Sequence, residues 1–227
     1  MNYTLLRSNR KTIAIYITQE GAVEVRAPYK VSKSEIDTLV QAKEKWIKEQ
    51  LAARKQVNEQ KSTFSLKYGD SAVLLGKKYP ICARDGNLVG FDDCFYMPPD
   101  LNSHGIKYAM IQIYKVIAKN ILTNKVVKYA KLMSVTPTAV KINSAKTRWG
   151  SCSGKNSINF TWRLIMAQDD IIDYVVIHEL AHIIEHNHST RFWSIVERIL
   201  PDYREKQEGL KLLQKRLSKE NWEVTTI

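Results

Sequence analysis

His178-Glu179-Leu180-Ala181-His182 sets two imidazoles four residues apart with a carboxylate beside the first. On a helix, rings at that spacing sit about 40° apart around the axis and about 6 Å apart along it, so both can hold one metal ion. The glutamate is offset from both rings and can act on a water at the same ion. The pattern points to a zinc hydrolase. Its setting, the apolar run Ile171 to Ile184, would make two buried imidazoles without a ligand costly.

A third ligand is needed, and spacing limits the choice. His186 continues the stripe of His182 but lies about 12 Å along the axis from His178, too far for zinc–nitrogen bonds of about 2 Å. His188 can return if the helix ends and the chain turns, and Asn187 tolerates left-handed turn geometry. His188 is therefore preferred, with Glu197, Glu205 and Glu208 as downstream alternatives. Three protein ligands leave a coordination position open for water, and Glu179 would be the general base. Arg148, Trp149, Asn159 and Tyr174 are candidates for touching substrate. Arg148, Tyr174 and Tyr203 are candidate oxyanion donors, and Asn159 or Glu185 could orient a histidine. Cys152 reads as structural rather than as a nucleophile or zinc ligand.

The elements that must carry these groups are legible in outline. Thr12–Ile17 and Ala22–Arg26 alternate like strands around a turn near Glu20-Gly21. Ser32-Lys33-Ser34-Glu35 is a capping box opening one long helix over about 32–58. Residues 64–97 return to short strands. A long helix spans 103–133 and stops before Pro137. Strands around Val140–Ile142 and Ile158–Trp162 flank a turn-rich Arg148–Gly154 segment, and the metal helix follows over about 170–186. Two further helices begin near Ser189 and Asp202, the last running to about Ser218. The fold class is α+β: a β-rich domain over residues 1–100 with one long helix, then a zincin-like, mainly helical catalytic domain over 101–227 with a small sheet.

Composition restricts the class further. The chain has 227 residues, 44% of them hydrophobic, enough for a packed core. No apolar run approaches the roughly 18 residues that span a bilayer, and the N-terminal residues lack a signal peptide's apolar core. A cytoplasmic protein without a membrane partner is expected. Three cysteines with no CxxC pair argue against a disulfide framework or a four-cysteine zinc site. The net charge is +12, and between Leu101 and Gln168 there are eleven Lys or Arg and no Asp or Glu. That excess attracts polyanions in general. The lysines at 107, 115, 119, 125, 128 and 131 do not share a helical face, so nucleic acid is not the favoured partner.

Thr147-Arg148-Trp149-Gly150-Ser151-Cys152-Ser153, Ile158-Asn159, Trp162-Arg163-Leu164, Ile172 to His182, Asn187-His188-Ser189 and Phe192-Trp193 together resemble the YgjP-like metallopeptidase family. Gly21 to Pro28, Trp46-Ile47 and Leu75 to Pro80 extend the resemblance to nearly the whole chain. It implies a cytosolic zinc-dependent peptidase of α+β fold, with zinc at His178, His182 and His188 and Glu179 catalytic. Metzincin spacing is also matched, but Glu185 stands at that motif's glycine and no methionine follows His188 to form a Met-turn. SprT-like proteases are similar in logic, although the paired cysteines many of them carry are missing here. The leading expectation is a zinc peptidase acting on peptides or proteins, with substrate extended beside the strand around residues 156–162. The alternatives are a metal-dependent hydrolase of a small phosphorylated or nucleotide-like anion, and a nucleic-acid-associated protein with a secondary metal site.

Overall fold

The computed structural model describes residues 1–224, and these form two compact units. The first comprises residues 1–64 with 218–221. The second comprises residues 65–217, joined by 222–224.

In the first unit, β1 (Thr4–Ser8), β2 (Ala14–Ile17) and β3 (Val23–Pro28) form a sheet with β3 central, parallel to β1 and antiparallel to β2. Val23, Val25 and Ala27 alternate inward along β3 and meet Ile36, Val40 and Ile47 in one core cluster. The capping box forms as expected: Ser32 Oγ accepts from Glu35 N, and the Glu35 carboxylate accepts from Ser32 N. The single helix expected over 32–58 is instead two, α1 (Lys33–Ala42) and α2 (Glu44–Thr63), broken at Lys43 with φ −99° and ψ 8°. A straight helix over both would be about 45 Å long, against strands of about 13–20 Å. The break lets Ile36, Val40 and Ile47 all reach the small sheet's core.

The second unit opens with four short strands, β4 (Ser71–Leu74), β5 (Lys77–Ala83), β6 (Gly90–Phe91) and β7 (Phe95–Met97), in the order β4-β5-β7-β6. The boundary expected near residue 100 falls inside this unit. The reason is packing: Ala72, Leu74, Ile81, Phe95 and Met97 are buried, and Tyr114 on α3 (Ser103–Met133) donates its hydroxyl to Val73 O at 2.9 Å. The β4–β5 turn uses two left-handed residues, Leu75 and Gly76. A Cβ on Gly76 would stand 2.6 Å from Gln168 Cγ, and Leu75 N donates to Ile165 O at 2.9 Å.

The helix α3 has the bounds read from sequence. Asn102 caps it by accepting from Gly105 N, and Ser134 ends it at φ 55°. Beyond it, β8 (Ala139–Asn143), β9 (Gly150–Cys152) and β10 (Ser157–Thr161) form a sheet in the order β8-β10-β9. A 3-10 turn at Trp162–Met166 leads to α4 (Asp169–Ile184), then α5 (Thr190–Ile199) and α6 (Tyr203–Leu217). Lys125 on α3 bonds Asp169 and Asp173 on α4 at 2.9 and 2.6 Å. Tyr114 stacks on Trp162, ring centroids 5.5 Å apart, and Trp222 closes on both edge-on. No helix among the described residues is long and apolar enough to cross a membrane.

The stacked Trp162 is fully buried, whereas Val116 on α3 is exposed. Trp162→Ala is expected to lower unfolding free energy by about 3–5 kcal/mol, and Val116→Ala by no more than about 0.5 kcal/mol. Urea unfolding of both variants checks this contrast.

Candidate metal centre

Helix α4 is buried along most of its length, and the two histidines of its sequence motif project one turn apart. Their ring centroids are 4.9 Å apart. The helix ends at Glu185, whose backbone is extended (φ −140°, ψ 110°), and the chain then doubles back. No left-handed residue is used there. Asn187 keeps a negative φ, and the reversal is made by Glu185 with a close Ser189 N to Asn187 O contact of 2.8 Å. This brings His188 Nε2 to 3.1 Å from His178 Nε2, with the His188 ring 4.7 Å from that of His182.

One ligand nitrogen from each of His178, His182 and His188 falls within 4.8 Å of the others. His186 is outside the group; it lies beyond the end of α4 rather than on the helical stripe the sequence suggested. The remaining ring nitrogens have backing. His182 Nδ1 lies 3.3 Å from Glu185 O, and His178 Nδ1 lies 3.5 Å from Tyr174 Oη. Donation from each Nδ1–H would leave each Nε2 lone pair turned to the common point. Burial first, then repulsion from His182 and His188, pushes the His178 pKa down to about 3. The ring is therefore neutral, as a metal ligand must be. Burial likewise lowers the pKa of His182.

This donor set fits a zinc-like ion. Tetrahedral zinc with bonds of about 2.05 Å spaces its nitrogens about 3.3 Å apart, close to the 3.1 Å found between two imidazoles of this chain. Asp92, Asp93 and Cys94 also gather ligand atoms. There Asp92 is already bonded to Arg84 at 2.8 Å and to the backbone N–H groups of Asp93 and Cys94.

Glu179 sits beside the histidines, only 6% exposed. Burial pushes its carboxyl pKa up to about 7, and the charge of Arg148 pulls in the opposite direction. Its carboxylate lies against β9 where that strand has no side chain: a Cβ on Gly150 would stand 2.5 Å from Glu179 Oε1. Because side chains alternate along a strand, Gly150 and Cys152 share the face toward Glu179. The Cys152 thiol pKa is raised by burial and by the charge of Glu179.

The same alternation sorts the other sequence candidates. Asn159 pairs with Ser151, one residue out of phase with Gly150, so it occupies the opposite face of the sheet together with Trp149. Arg148 lies outside β9, before a bend at Trp149, and is exposed. Tyr174 is 5% exposed and held beneath the centre, accepting from Gln207 Nε2 at 3.0 Å. Gln207 escaped the sequence reading, because nothing in α6 alone shows which turn faces α4. Tyr203 stacks between Tyr174 and Trp193, and Trp193 stacks on His188 at 5.7 Å.

Gly150→Ala is expected to destabilise the fold by about 1–3 kcal/mol, since its methyl overlaps the Glu179 side chain. Chemical denaturation measures this. Metal titration should show one tight site per chain, lost in His188→Ala and retained in His186→Ala.

The family model described as YgjP-like, metallopeptidase domain matches residues 11–212. No curated protein matches the chain. Among solved structures, the metallopeptidase zymogen abylysin of Pyrococcus abyssi is 22% identical over 44% of this chain and 98% of its own, with a TM-score of 0.38. The metallopeptidase zymogen jannalysin of Methanocaldococcus jannaschii is 20% identical over 42% of this chain and 96% of its own, with a TM-score of 0.36.

Proposed function

The chain belongs to the YgjP-like metallopeptidase family, and from that premise we propose that it cleaves peptide bonds with zinc at His178, His182 and His188 and Glu179 as general base. The observation that carries this reading is the convergence of three imidazoles beside one buried carboxylate. When bound, the ion supplies Lewis acidity, polarising a carbonyl and making water acidic near neutral pH.

The protein's own groups would do the rest. Glu179 has a carboxyl pKa near 7, so its affinity for a proton suits both taking one from water and giving it up. It takes the proton at a carboxylate oxygen and passes it to the leaving amide nitrogen. The absence of a side chain at Gly150 leaves that carboxylate in place against the strand. Tyr174 and the Glu185 carbonyl hold two of the ligand rings in register.

The binding strand differs from the one expected. Residues 157–161 form the central strand, with β8 on one side and β9 on the other, so their backbone groups are already used. The outer edge beside Glu179 belongs to β9. An extended substrate would pair there, next to the general base. Three free cysteines agree with a reducing, cytoplasmic setting.

A mixed peptide library incubated with zinc-loaded protein should be cleaved, with activity lost to a chelator and restored by zinc. Fully loaded protein that leaves every peptide intact would overturn the reading. Glu179→Gln should keep its metal while kcat falls by about 10²- to 10⁴-fold. An active Glu179→Gln enzyme would remove the glutamate from its assigned role.

A further inference from the structure

The peptidase reading leaves open what kind of peptide is taken, and the face of β9 that carries Gly150 bears on this. Thr161 N donates to Trp149 O at 2.9 Å, so the β9–β10 ladder continues one residue before Gly150. Arg148 stands two positions before Gly150, across a bend at Trp149, and its charge acts on the Glu179 carboxylate that meets Gly150. Its side chain is exposed and makes no hydrogen bond or ion pair with another described residue.

Three other cations of this part of the chain differ. Arg163 is committed to Ser144 O and to the Trp162 ring, Lys146 to Glu223, and Lys119 to Val140 O. The sequence that builds β8, β9 and β10 contributes no carboxylate of its own, because Leu101 to Gln168 contains no Asp or Glu. An exposed guanidinium thus lies near the general base, just before the edge strand where an extended substrate would pair. Its planar fork of N–H donors matches a carboxylate in a two-point contact better than any other side chain does.

Resting on the peptidase reading, we propose that Arg148 is a specificity residue that binds a substrate carboxylate within a residue or two of the cleaved bond. That carboxylate has two sources, the C-terminal group of a peptide or an Asp or Glu side chain. The chemistry at Arg148 is the same for both.

The test uses zinc-loaded full chain and matched peptides differing only in charge: free against amidated C-terminus, and Glu against Gln beside the cleaved bond. Wild-type kcat/KM should favour the carboxylate member by about 10- to 100-fold, the range of a charged two-point hydrogen bond. Loss of that preference on amidation identifies the terminal group, and loss on Glu-to-Gln exchange identifies the side chain. Arg148→Gln should remove the preference mainly through KM, slowing neutral peptides much less. Arg148→Lys, which keeps the charge without the fork, should retain part of it.

Equal rates on charged and neutral peptides would overturn the assignment while leaving the peptidase reading intact. So would an Arg148→Gln protein, folded and metal-loaded, that loses kcat equally on both sets, since that is the mark of an oxyanion donor. Failure to cleave any peptide would overturn both readings.

Discussion

The close approach of α4 to β9 at Gly150 is the contact on which the chemistry depends. A general base must be buried enough to hold a proton near neutral pH and still present its carboxylate to a small reactant. In the role proposed for it, Glu179 meets both demands because its side chain lies against bare backbone, in space that any Cβ would fill. The helix cannot drift from that position. Lys125 ties its first turns to α3 through Asp169 and Asp173. Lys206 bonds both Asp170 of α4 and Asp202. Ile171 packs so closely on Gly209 that a Cβ there would stand 2.5 Å from its Cδ1.

The third histidine of the proposed site poses a different problem, since His188 lies outside any helix and a loop residue pays ordering entropy when it takes up an ion. The structure reduces that cost before binding. Glu185 takes an extended conformation that reverses the chain, and its carbonyl also receives His182 Nδ1. Ser189 caps α5 one residue after His188 by accepting from Phe192 N. Trp193 on that helix then stacks on the His188 ring, Tyr203 on Trp193 and Tyr174 on Tyr203. Since Tyr174 also faces His178, the aromatic stack joins the loop ligand to the helical one.

What the sequence revealed follows from how local each cause is. Helix periodicity and capping are local, so α3, the metal helix and its successors were legible nearly to the residue, whereas His186 stays out of the histidine group because α4 ends before reaching it and not through axial distance. The break at Lys43 carried no Gly or Pro and came from the size of the sheet beneath. The central position of β10 depends on which strands pair, and neither strand encodes that alone. The consequences reached the site: register places Asn159 opposite Ser151, on the face of the sheet away from Gly150, and leaves the outer edge to β9. Tyr174 looked like a cleft residue because tyrosines often line clefts, but α6 buries it and Gln207 fixes its hydroxyl.

The basic excess is best understood through its partners rather than its total. A +12 chain with an acid-free stretch of 68 residues, 101–168, invites a polyanion reading. Several of those cations are structural instead. Lys125 is mostly buried and bonds two aspartates of α4, Lys119 reaches the backbone of β8, and Arg163 is desolvated over Trp162. Each replaces hydration with a fixed partner, so none of the three is available as a mobile counter-charge. The acid-free stretch then has a local meaning: the sheet beside the metal centre supplies no carboxylate to neutralise a cation placed there. An exposed guanidinium two residues before Gly150, without a hydrogen-bond partner from that sheet, bears on the selectivity proposed above more directly than the net charge of the chain.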